Sequence, residues 1–172
     1  MTAPGRLFAC LAIGAPLAGC VAGPAPVERA APGGWSALGE RTYACAPPAC
    51  AYPGRAGHER VSLGPAGDRL FEANDAATRR AFETALSRTL EESPLGKARR
   101  YRIEGPITRA MIGAHETLRF AVAGSGMDGA PADPGHAIVL RKSGSFHMVF
   151  AFAASQTAAR AAALDFVNAT TL

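Results

Sequence analysis

The sequence predicts an α+β domain, an antiparallel sheet flanked by helices. Three observations carry this expectation. Phe146, Met148, Phe150 and Phe152 alternate with other residues, which places them on one face of a strand. The apolar run Ile138-Val139-Leu140 precedes them, and Lys142-Ser143-Gly144-Ser145 joins the two runs as a hairpin. Phe82, Leu86 and Leu90 recur at four-residue spacing with Ala85 beside them, the stripe of a helix. The element types then run strands, helix, several strands, helix, and sequential strands with short turns pair antiparallel.

From the N-terminal side, Arg41 to Tyr52 and His58 to Leu63 read as short extended segments, with Tyr43, Val61 and Leu63 facing inward. Gly54 and Gly57 suit the connection between them. Asn74 or Asp75 supplies the cap of a helix running to about Glu92. Pro94 disfavours helical geometry at Ser93 and stops it. Arg100 to Glu104 alternates, with Tyr101 and Ile103 on one side. Ile107 to Ile112, Leu118 to Ala123, His136 to Arg141 and Phe146 to Phe152 follow as further strands. The Gly-rich stretch Ala123 to Gly135 reads as a surface connection. Ser155 caps a closing helix whose buried stripe is Ala159, Ala163, Phe166 and Val167.

Ahead of this domain lies a segment of different character. Arg6 is followed by the apolar run Leu7 to Ile13 and then by Leu17-Ala18-Gly19-Cys20. The run is too short to span ~30 Å of hydrocarbon, which takes about 20 residues. Residues 1–19 have the three parts of an export signal, and with Cys20 they resemble the lipobox signal peptide of a bacterial lipoprotein. That resemblance implies recognition through Leu17, Ala18 and Gly19, cleavage before Cys20 and acylation of its thiol. It also implies an address: Val21, where an aspartate would favour inner-membrane retention, points to the periplasmic face of the outer membrane. Two or more acyl chains give stable attachment where one does not. Residues 20–34 carry Pro24, Pro26 and Pro32, which oppose helix and ladder pairing, and so read as a lipidated cysteine with a flexible tether. A single α+β domain is expected over residues 35–172.

With Cys10 in the signal and Cys20 acylated, Cys45 and Cys50 are left. Outside the inner membrane a close surviving pair is expected to form a disulfide. The alternatives are a metal site, which would want a second pair of Cys/His ligands, and a redox-active pair, which would want Cys-x-x-Cys spacing.

The formal net charge of +4 is mild, and the cations are almost all arginine. Arg79-Arg80, Arg99-Arg100-Arg102 and Arg141-Lys142 stand as separate small groups, where a nucleic-acid face needs clustered cations. No nucleic-acid partner is expected. His58-Glu59 and His115-Glu116 begin like His-Glu-x-x-His, but Ser62 and Arg119 occupy the fourth position after each histidine. Ala123-Gly124-Ser125-Gly126-Met127 lacks the outer glycines of a nucleophile elbow. His147 falls on the strand face opposite Phe146 and Met148. Tyr101 and Trp35 could stack on a ligand, although packing in the core suits them better. No catalytic residue, metal ligand or cofactor is assigned.

The run Ile112-Gly113-Ala114-His115-Glu116-Thr117-Leu118-Arg119-Phe120, the hairpin Ala137 to Phe152 and the terminal helix together resemble Mog1/PsbP-like proteins over residues 41–172. The resemblance implies an α-β-α sandwich and a role in assembly or binding, with no catalytic residues. The expectation is therefore a non-catalytic, lipid-anchored envelope protein, held to the membrane through Cys20, that binds an envelope protein or a small ligand. The competing expectation is an envelope hydrolase with a spatially assembled Ser, His and acid.

Overall fold

The computed structural model describes residues 31–39, 41–61, 64–72, 75–91, 100–125, 132–142 and 144–170. Leu17, Ala18, Gly19 and Cys20 lie outside the described residues, as do the rest of the signal segment and most of the tether.

Among the described residues, seven strands and three helices follow one another in the order β1 (Ser36–Gly39), β2 (Thr42–Cys45), β3 (Gly54–Val61), α1 (Gly64–Glu72), α2 (Ala76–Glu91), β4 (Arg100–Ile112), β5 (His115–Ser125), β6 (Gly135–Lys142), β7 (Ser145–Phe152) and α3 (Gln156–Ala169). The strands form one sheet in the order β1-β2-β3-β7-β6-β5-β4, and each neighbouring pair is antiparallel. The protein is thus α+β, as its sequence predicts. Two meanders, β1-β2-β3 and β4-β5-β6-β7, meet where β7 lies along β3, with His58 opposite Val149.

Alternation along β7 sorts its side chains between two cores. Phe146, Met148, Phe150 and Phe152 join Ala137, Val139, Leu118, Phe120, Val122, Tyr101 and Ile103 beneath Phe71 of α1 and Phe82, Leu86 and Leu90 of α2. Val149 and Ala151 turn the other way. They join Ala56, Ile138 and Leu140 beneath Ala162, Ala163, Phe166 and Val167 of α3. A strand buried on both faces explains why β7 is apolar at almost every position rather than at every second one.

Two cross-strand pairs set an aromatic ring over a glycine. Gly57 faces Phe150 and Gly135 faces Phe152. A Cβ at Gly57 would stand 2.7 Å from the Phe150 ring, and one at Gly135 would stand 2.6 Å from the Phe152 ring. The missing side chains are therefore the slots that these rings fill.

The closing helix packs tightly because its sheet-facing side is small. Ala158, Ala159, Ala162 and Ala163 are buried, and Gly54 lies directly under Ala162. Ser155 caps it: its hydroxyl accepts the Ala158 N–H at 3.2 Å. Phe166 reaches past the alanines to meet Trp35 edge-on, at 5.0 Å between ring centroids, and Tyr43 at 5.2 Å. Trp35 and Tyr43 thereby tie the N-terminal strands to the last helix. Pro32 is buried in the same place, and its carbonyl accepts the Trp35 N–H.

The sequence reading differs from the structure in three places. Arg41 to Tyr52 is not one extended segment: β2 ends at Cys45, a loop leads to β3, and Gly54 and Gly57, expected in the connection, lie within β3 itself, where their missing side chains make room for Ala162 and the Phe150 ring. The helix α1 was not anticipated, because Gly64, Pro65 and Gly67 lower helix propensity across a short element, although proline is tolerated in a first turn. Residues 100–104 and 107–112 belong to one strand, whose ladder with β5 slips register between Glu104 and Thr108, around Gly105-Pro106. Among the described residues no helix is long and apolar enough to cross a membrane.

Candidate functional site: an arginine-lined groove at the sheet edge

The β4 strand is one edge of the sheet, and an unpaired edge exposes a row of backbone donors and acceptors. Its first half is covered by α2 acting through side chains. The Ile103 N–H donates to Glu83 Oε1 at 2.9 Å. The Tyr101 N–H donates to Ser87 Oγ at 3.0 Å. Arg79 donates to the Ile103 carbonyl. Glu83 and Ser87 lie one helical turn apart, and Tyr101 and Ile103 are two residues apart, so the two repeats run in step along the edge. The apolar stripe of the same helix, Phe82, Leu86 and Leu90, fixes this orientation by burial.

An open groove of about 830 Å³ runs between helix and strand above these bonds. Glu83, Ser87 and Tyr101 line its base. Arg80, Thr84, Arg88 and Glu91 rise on the α2 side, and Arg100, Arg102 and Ser125 on the other. Arg80, Thr84 and Arg88 follow at four-residue spacing and so share one helix face. Arg100 and Arg102 share one side of β4. Arginines that read as separate groups in the sequence thus converge on folding.

The cysteines predicted to bridge are brought together. Cys45 ends β2 and Cys50 lies in the following loop. Their Cα atoms are 6.1 Å apart and the sulfurs are within disulfide distance. Both are buried against Trp35 in the core beneath α3.

The histidines fall at three places. His147 lies on the α3 side of β7, opposite Phe146 and Met148 as alternation predicts. There it meets His58 of β3, Nε2 of His58 lying 3.0 Å from Nδ1 of His147 with the rings nearly parallel. That pairing depends on strand register and had no signal in the sequence. The neighbour Glu59 faces the other way and pairs with Arg41 at 2.8 Å. Likewise Glu116, beside His115, pairs with Arg109 at 3.6 Å. In a strand successive side chains diverge, so neither His-Glu pair gathers its two groups on one site. Among the described residues no group of three or more His, Cys, Asp or Glu is placed to hold a metal.

His136 was missed. It is buried at the start of β6, where Gln156 Nε2 lies 3.5 Å from its Nδ1 and its Nε2 has no hydrogen-bond partner among the described residues. Burial lowers its pKa from 6.5 to about 4, and the nearby charges of Arg160 and Arg119 push in the same direction. Apolar flanks, Gly135 on one side and Ala137-Ile138 on the other, are the only sequence hint of such burial.

Tyr101 and Trp35, considered as ligand stackers, are core residues: Tyr101 lies against Phe152 and Trp35 against Phe166. Ser125 lines the groove, but no histidine is among the described residues that line it with Ser125. The arrangement suits electrostatic recognition of an anion by guanidinium groups. Compared with protein-family models and with curated proteins, the chain matches none.

Proposed function

We propose that this chain is a lipid-anchored, non-catalytic binding or assembly protein of the bacterial envelope, attached through an acylated Cys20 to the periplasmic face of the outer membrane. The observation that carries this reading is the sequence Leu17-Ala18-Gly19-Cys20, which follows Arg6 and the short apolar run Leu7 to Ile13 with only Gly14-Ala15-Pro16 between. A proline-bearing tether follows it, as a domain standing off a bilayer requires. The approach of Cys45 and Cys50 to disulfide distance fits an oxidising compartment. Helices on both faces of one antiparallel sheet support an α-β-α sandwich of the Mog1/PsbP type, and with it a binding rather than a catalytic role. The surface offered for binding is the groove between α2 and β4.

The anchor is tested by replacing Cys20 with serine in the expressing bacterium. The unchanged chain takes up labelled palmitate and sediments with membranes. The Cys20→Ser chain loses the label and moves to the soluble fraction. Equal membrane retention of both chains overturns the anchor.

A further inference from the structure

We infer that the groove between α2 and β4 binds a phosphate-bearing ligand, whether a free phosphate compound or the headgroup of an anionic lipid. This deepens the binding role proposed above but does not depend on the Cys20 anchor.

The argument begins with where arginines find partners. Elsewhere on the surface several are matched, Arg41 with Glu59, Arg55 with Asp133, Arg109 with Glu116 and Arg141 with Asp68, while Arg69 and Arg160, which form no ion pair with a described residue, stand outside the groove. Arg80, Arg88, Arg100 and Arg102 are all exposed, and none forms an ion pair with a described residue. These four guanidiniums line a single groove. The groove holds two carboxylates, Glu83 and Glu91, and Glu83 is already engaged by the Ile103 N–H and lies 3.9 Å from Arg79. Among the described lining residues four guanidiniums outnumber two carboxylates, and like charges in excess repel one another, so an anion between the two walls relieves a cost that the free protein bears.

The base of the groove narrows the choice of ligand. An extended peptide usually joins a sheet edge by backbone hydrogen bonds. Here Glu83, Ser87 and Arg79 already occupy the outer backbone groups of Tyr101 and Ile103, which closes that mode along this half of β4. Recognition must therefore run through side chains. A phosphate monoester carries close to two charges and three strong acceptor oxygens. It can take guanidinium donors from both walls at once, in the bidentate geometry that arginine favours. A single carboxylate offers one charge and two oxygens.

The test uses the full-length chain with Cys20→Ser, so that lipid attachment cannot contribute. Two probes are used at constant ionic strength: inorganic phosphate, followed by calorimetry, and vesicles of phosphatidylcholine with a minor share of phosphatidic acid, whose headgroup is a phosphate monoester, followed by sedimentation against pure phosphatidylcholine. The groove variant is Arg88→Gln with Arg102→Gln. The control is Arg69→Gln with Arg160→Gln, exposed arginines outside the groove with the same change in net charge. Binding of either probe that falls about tenfold or more in the groove variant and persists in the control supports the site, because each charge-assisted hydrogen bond lost is worth about a decade in affinity. Phosphate binding assigns a free phosphate compound, and groove-dependent binding to the phosphatidic acid vesicles alone assigns a lipid headgroup. Equal losses in the two variants, or no binding of either probe, overturn the inference. Thermal unfolding of both variants checks that they are folded.

Discussion

At the scale of the single residue, side-chain direction was legible in the sequence and side-chain company was not. Alternation alone put His147 on the face away from Phe146 and Met148, yet nothing local announced that His58 would stand 3.0 Å away, because that contact is a matter of register between distant strands. The same holds for the Gly57–Phe150 and Gly135–Phe152 pairs: each glycine reads as a loop residue until the partner strand is known. His136 has a consequence that can be measured. Its folded pKa, about 4, lies below the ordinary 6.5, so the folded state holds it neutral. Above about pH 6.5 it is neutral whether folded or unfolded, and its full contribution is present. As the pH falls from 6.5 towards 4 the unfolded chain takes up a proton that the folded chain refuses, and stability drops. Below about 4 this group causes no further loss. Urea unfolding across that window is expected to show a shallower decline for His136→Leu than for the unchanged chain, the carboxylates being common to both. Parallel declines would show that the imidazole is not held neutral by burial.

At the scale of the element, the two longer helices were readable because each carries an apolar stripe at helical spacing, and α1 was not, because its glycines and proline mimic a turn. What the stripe on α2 could not disclose was the use of its flank. Glu83 and Ser87 look like ordinary solvent-facing residues, yet they serve as the missing neighbour of an edge strand. The edge is thereby protected without Lys, a short strand or closure into a barrel. If that role is real, Glu83→Ala removes the acceptor of the Ile103 N–H and costs about 1 kcal/mol. Amide exchange at Ile103 is expected to accelerate, while Leu118 and Phe120, inside the sheet, keep their protection. Unchanged exchange at Ile103 would mean that the helix merely lies beside the strand. The same substitution leaves Arg80, Arg88, Arg100 and Arg102 in place, so the edge and the proposed phosphate site can be probed separately.

At the scale of the whole molecule, the meander β4-β5-β6-β7 could be anticipated from sequential strands and short turns, whereas the placement of β7 beside β3 could not, since it joins segments far apart in the chain. That junction leaves the N-terminal strands β1 and β2, four residues each, as the outer end of the sheet. Strands so short contribute few ladder bonds, and β1 is exposed throughout. Their attachment rests on Trp35 and Tyr43 against Phe166 and on the buried pair Cys45 and Cys50. A covalent clip at that point restricts the unfolded chain at the end of the sheet with the least packing of its own. Mass spectrometry of peptides prepared without reductant is expected to find Cys45 joined to Cys50. Replacing both with alanine is expected to lower stability by about 2 kcal/mol, the small value proper to a short closed loop. Because the loss falls at one end, amide exchange should quicken in β1 and β2 before it does in β5 and β6. Two freely alkylated thiols in the native chain would remove the clip, and the outer strands would then depend on the aromatic contacts with α3 alone.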